Sequence, residues 1–195
     1  MAIPSKQIGW GTESNLLWQI AKQIQYLTQV TASSASAPSP FKYNANATGI
    51  EPILGTNNAS GLNATIGGGQ YNTVSGNFST IAGGRNNTAS GYRSTIGGGY
   101  QNSASNNYAT IGGGSYNTAS NSYSTIGGGC LNNASGNFST IGGGVFNIAS
   151  CEVSTVGGGQ CNTASTYFST IGGGYKNTAS NCYSTIGGGK SNSAT

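Results

Sequence analysis

The residues able to do chemistry in this chain are few and poorly placed for it. Its only carboxylates are Glu13, Glu51 and Glu152, and its 195 residues hold no Asp and no His. General acid–base catalysis needs a carboxylate or imidazole poised on the reacting group, a serine nucleophile needs an imidazole, and zinc needs His or closely spaced Cys. Three scattered Glu assemble none of these, so catalytic residues, metal sites and cofactors are all expected to be none, and the chain reads as a non-enzyme. The thiols Cys130, Cys151, Cys161 and Cys182 lack the Cys-x-x-Cys spacing of a metal clamp. They occupy variable slots and read as free thiols.

Charge is equally sparse, with seven basic residues and 5% charged residues overall. No basic stripe forms, so nucleic acid is not an expected partner. No stretch is long and apolar enough for membrane insertion, and the opening MAIPSKQIGWGTESNLLW lacks the apolar core of a secretory signal. The triplets beginning at Asn46, Asn58, Asn63, Asn77, Asn86, Asn133 and Asn137 have the Asn-x-Ser/Thr form. A chain so rich in Asn, Ser and Thr yields them by chance, and they are expected to stay unmodified.

What the sequence does hold is a fifteen-residue period. Ile66, Ile81, Ile96, Ile111, Ile126, Ile141, Val156, Ile171 and Ile186 recur without insertion or deletion, each preceded by Thr and followed by three small residues. A fixed period of this length predicts an all-β repeat, a parallel β-roll or solenoid with one fifteen-residue coil per repeat. Thr and Ile favour a strand, alternation turns Ser79 and Ile81 to one face and Thr80 to the other, and the Gly triplet predicts a sharp turn. Half a coil later comes the small column Val74, Ala89, Ala104 and onward, expected to face the Ile column across a narrow interior. The column Asn72, Asn87, Asn102 and onward predicts a ladder of stacked amides. The larger column Phe78, Tyr108, Tyr123, Phe138, Phe168 and Tyr183, interrupted by Arg93 and Val153, lies three residues before the Ile column, which by strand parity predicts the outer face, as a subunit interface or an exposed aromatic stripe. After each Gly triplet two residues vary freely in size and charge; among them Tyr71, Tyr100, Tyr116 and Tyr175 are the candidate surface-recognition residues.

Three segments precede the roll. Residues 1–12 read as an anchoring arm, with Ile3, Ile8 and Trp10 as apolar anchors. Residues 13–31 read as a helix in which Leu17, Ile20, Ile24 and Leu27 step by three and four, the seam of a short trimeric coiled coil. Residues 32–56 read as an Ala/Ser/Pro linker, and residues 57–195 as the repeats. An interior of Ile and Ala is thin, which favours a homo-oligomer. The sequence stops at Thr195 within a further copy, so more chain or a second subunit is expected over the last coil.

The stretches SGNFSTIAGGRNNTAS, SNSYSTIGGGCLNNAS and STYFSTIGGGYKNTAS resemble the head repeats of trimeric autotransporter adhesins, the group of YadA-head and haemagglutinin-type repeats. The resemblance covers about residues 57–195 and implies a left-handed, trimeric β-roll presented as a rod. That family is exported by a signal sequence and held by a C-terminal membrane barrel, and neither is evident here. The opening MAIPSKQIGWGTESNLLWQIAKQIQYLT is similar to the start of some phage and large-virus structural proteins. The expected function is therefore a structural homotrimeric fibre or spike at a virion surface. It would dock through its N-terminus on a capsid or tail protein and meet a host-surface glycan or protein along the roll. An extracellular or cell-surface adhesive filament is the alternative, and an ice-binding solenoid, prompted by the Thr column, a minor one.

Overall fold

The computed structural model describes residues 20–24, 41–43, 50–52 and 56–195. It divides into two units, Met1–Ser39 and Pro40–Thr195. In the first, residues 20–24 are helical, and Ile20 and Ile24 are exposed at 43% and 58%. Four residues apart, they share one helix face. Leu17, Leu27 and the arm residues Ile3, Ile8 and Trp10 lie outside the described residues.

The second unit is a parallel β-solenoid. Each coil contributes two strands of two residues, one centred on the Thr-Ile pair and one on the Thr-Ala pair. Strand β1 (Phe41–Tyr43) pairs antiparallel with β2 (Ile50–Pro52), and β2 leads into the parallel run of Thr-Ile strands from Thr65–Ile66 to Thr185–Ile186. The second sheet runs from Asn58–Ala59 to Ser193–Ala194. Register advances one period per strand, as in Ile111 opposite Ile126 and Ala119 opposite Ala134. A third line of parallel bridges joins the residues after the Gly triplets, from Gln70 with Arg85 to Tyr175 with Lys190.

The interior follows the period. The Ile column from Ile66 to Ile171, with Val156, is 0% exposed, and Ile186 in the last coil is 8% exposed. Facing it, Ala59, Val74 and the Ala column through Ala179 are also fully buried. Each buried Ile contributes about 1.5–3 kcal/mol. The remaining cohesion comes from the backbone ladders that every coil makes with the next.

Three expectations change in detail. Part of the 32–56 segment is sheet, because Ile50 stands one period before Thr65 and pairs with it. Ile50-Glu51-Pro52 keeps the spacing of the repeat without its residue types, so composition hid it. The Gly triplet does not act as a unit either. Its third member alone is left-handed throughout, with φ between 81° and 99° from Gly69 to Gly189. Lastly, the aromatic column is exposed, as expected, but not by strand parity. Phe78, Tyr108, Tyr123, Phe138, Phe168 and Tyr183 sit in turns with φ of 56–61°. A turn residue in that region throws its side chain outward at the corner of the coil.

Candidate interaction surfaces

The buried polar columns fix where every outward residue stands. Asn132 is typical. Its Nδ2 donates to the carbonyl of Gly128 in its own coil at 3.0 Å and to Gly144 in the next at 2.9 Å. Its Oδ1 accepts the backbone N–H of Asn147 at 3.0 Å and the Asn147 amide at 3.2 Å. The same arrangement recurs along the column, so the amide ladder is structural and satisfies the carbonyls that the Gly turn leaves over. On the other side of the coil a buried Ser column does similar work, as where Ser139 Oγ donates to Gly136 O at 2.7 Å.

Two corners project from this frame. The first carries the aromatic column. Tyr108 and Tyr123 stack at 4.7 Å between centroids, and Tyr123 and Phe138 at 4.9 Å, with interplanar angles of 5° and 6°. Phe168 and Tyr183 stack in the same way at 5.1 Å. Where Arg93 takes the aromatic position, the preceding Tyr92 fills the gap, edge-on to Phe78 at 5.7 Å and to Tyr108 at 5.8 Å. The Arg93 guanidinium lies 5.1 Å from the Tyr92 ring centroid, within cation–π range. Sequence reasoning read this column as a subunit interface or an exposed aromatic stripe interrupted by Arg93 and Val153, and left out Tyr92. The clue was present: the one coil with Arg at the corner carries Tyr immediately before it.

The second corner carries the variable slots. These residues are exposed or half-buried, and none is packed inside. The four candidate tyrosines do not form one patch. Tyr100 and Tyr116 meet edge-on at 5.3 Å. A side-chain hydrogen bond with Tyr100, made by the protonated phenol, raises Tyr116 above its ordinary pKa, with smaller contributions in the same direction from desolvation and from the neighbouring Tyr100 and Cys130 charges. Tyr71 lies beside Arg85, and Tyr175 stands between Lys176 and Lys190. Cys130, Cys151 and Cys161 are half-buried and Cys182 is exposed, all as free thiols.

Among the described residues, no three His, Cys, Asp or Glu lie close enough to hold a metal, and no helix is long and apolar enough to cross a membrane. Compared with known proteins, the chain matches no family model and no curated relative.

Proposed function

We propose that the chain is the structural subunit of a trimeric fibre or spike on a virion, with its N-terminal arm on a capsid or tail protein and its roll as the projecting rod. The observation that carries the reading is the uninterrupted register from Thr65 to Ile186, with no insertion in any coil. Nine such coils make a rod about 43 Å long at ~4.8 Å per coil. Recognition of a host glycan or protein then falls to outward side chains that vary while the frame does not. The likeness of the opening MAIPSKQIGWGTESNLLWQIAKQIQYLT to the start of some phage and large-virus structural proteins favours a virion over a cell surface.

An adhesive filament on a cell surface is the second reading, since the same rod serves it. Antibody to residues 57–195 and mass spectrometry of purified particles separate the two. Labelled projections on particles support the fibre. A chain present in the cell-envelope fraction and missing from particles rejects the fibre in favour of the filament.

A further inference from the structure

We infer that copies of this chain pack side by side and parallel, with the aromatic corner of one copy lying on the Thr-Gly strip of the next. The inference rests on the self-association proposed above and names the surfaces that perform it.

The corner is large enough. Its six rings are 36–73% exposed, and Tyr92 and Tyr167 beside it add 36% and 52%. At about 200 Å² per ring this leaves ~750 Å² of aromatic surface in solvent. A typical monomer's largest apolar patch is ~300–600 Å², and one side of a stable interface covers about 800 Å². The ring orientation selects the occupant. From Tyr108 to Phe138, and again at Phe168 and Tyr183, neighbouring rings cover one another's faces along the rod, so edges point outward there. A sugar stacks on an open ring face; an edge-on ridge fits into a groove.

The surface offered to it is the Thr-Gly strip next to the corner, and a second observation marks it. The middle glycine of each triplet, from Gly68 to Gly188, is Gly in all nine coils. Yet a Cβ would meet nothing within 4 Å at Gly68, Gly83, Gly113, Gly128, Gly143, Gly158, Gly173 or Gly188, and none of these has a left-handed φ. The fold of one chain does not demand these glycines, whereas close approach from outside does. The Thr column gives an internal control. Both sheets present one outward strand position per coil. On the Thr-Ile sheet it is Thr in every coil from Thr65 to Thr185, while on the other sheet it varies through Thr118, Asn133 and Ile148.

A uniform strip over nine coils excludes a small ligand, which would need only a few. An irregular protein lacks the rise per coil that would set a like contact against the strip at each rank. A second copy has the same rise per coil and sets a corner ring against the strip at six of the nine ranks, with Asn63, Arg93 and Val153 at the others. Ridge and strip are different surfaces separated by one bend, so the contact is head-to-tail around an axis along the rods. Such a contact gives a closed ring where its rotation divides the full turn, as a three-fold one does.

The test uses the full chain. Sedimentation should give a trimer for the unmodified protein. Two triple variants, Gly113→Gln/Gly128→Gln/Gly143→Gln and Tyr108→Ser/Tyr123→Ser/Phe138→Ser, should keep the β circular-dichroism spectrum and weaken association by about a hundredfold or more. A control with Ser115→Gln and Gln160→Ala in the variable slots should remain trimeric. A monomeric unmodified chain sinks the self-association reading and this inference with it. A trimer that survives in both folded variants rejects ridge on strip alone. If a variant fails to fold, cross-linking decides. Two otherwise Cys-free chains, one with Tyr123→Cys and one with Gly128→Cys, are co-expressed and treated with a short bis-maleimide. Mixed cross-linked species support the packing, and their absence overturns it.

Discussion

Replacing Asn132 by Ala tests whether the amide ladder holds the coils together. Asn132 is 1% exposed and its side chain serves three backbone groups: the carbonyls of Gly128 and Gly144 and the N–H of Asn147. Alanine fits the space but offers none of these bonds. Each buried group left without a partner costs about 1–3 kcal/mol, and water reaching the Gly turn would recover some of that. The expected loss is therefore ~3–6 kcal/mol, about the whole of a small domain's margin. Asn132→Asp should be worse still, because a carboxylate oxygen would replace the donor between two carbonyls. Asn192, exposed and in the last coil, has the same bond to its own triplet at 3.0 Å, and its loss should cost much less. Urea denaturation followed by circular dichroism reads both. Solenoid stability is close to a sum over neighbouring coils, so the central and terminal variants must be compared by shape as well as midpoint. An Asn132→Ala protein within about 1 kcal/mol of the parent, or equal to Asn192→Ala, would refute the claim that the ladder is a main source of cohesion.

The same melts should separate the other columns. Ile126→Ala should cost ~2–5 kcal/mol and Ile126→Val only ~0.5–1.5, since Val156 already fills the same place in another coil; equal losses would mean the Ile column is not tightly packed. Gly114→Ala should destabilise the fold by more than about 1 kcal/mol, because φ is 90° and the new Cβ would collide with Gly129 O, while Gly113→Ala, melted at a concentration where the chains are dissociated, should be neutral or gain up to ~1 kcal/mol. A similar loss at both positions would contradict the open space around Gly113. In the N-terminal unit, changing Ile20 and Ile24 to Asp should weaken association at that end in sedimentation, and an unaltered mass distribution would remove the helix from the assembly. Deleting residues 1–12 should leave the roll's spectrum intact and abolish incorporation into particles; normal copy number would move the anchor elsewhere.

The interior was legible because burial imposes the period. Ile66 to Ile186, the facing Ala column and the Asn ladder each repeat at fifteen residues, and each is held by contacts to its own kind in the next coil. Patterning of that kind gives the coil length and the inward faces without coordinates. The corners were not legible from residue type. The described residues include eighteen non-glycine positions with positive φ, among them Phe78, Arg93, Leu131 and Val153. Those are types that disfavour the region, so propensity pointed away from a turn there. The antiparallel β1–β2 pair was missed for a related reason. Ile50 of β2 joins the sheet through its spacing from Thr65, while the residues of both strands are those of a linker.

The aromatic corner also sharpens what the coil frame alone leaves unexplained. A left-handed backbone costs a residue with a Cβ roughly 1–2 kcal/mol, and Asn relieves part of that. The same two corner columns accept Asn at Asn63 and Asn86, so a cheaper residue was available at every coil. Part of the cost is offset by the backbone, since the N–H of Phe138 donates to Ser122 O at 2.9 Å. That bond needs only the backbone and would form with Asn equally well, so it does not account for the ring. Stacking does favour the ring, at about 0.5–1.5 kcal/mol per pair. This roughly cancels the strain and leaves no surplus for a half-exposed aromatic side chain over a soluble Asn. Burial of the remaining half would add ~1 kcal/mol or more per ring, at ~25 cal/mol per Å². The balance therefore favours rings at the corner once another surface covers them, and the bare middle glycines of the adjacent strip provide room for that surface.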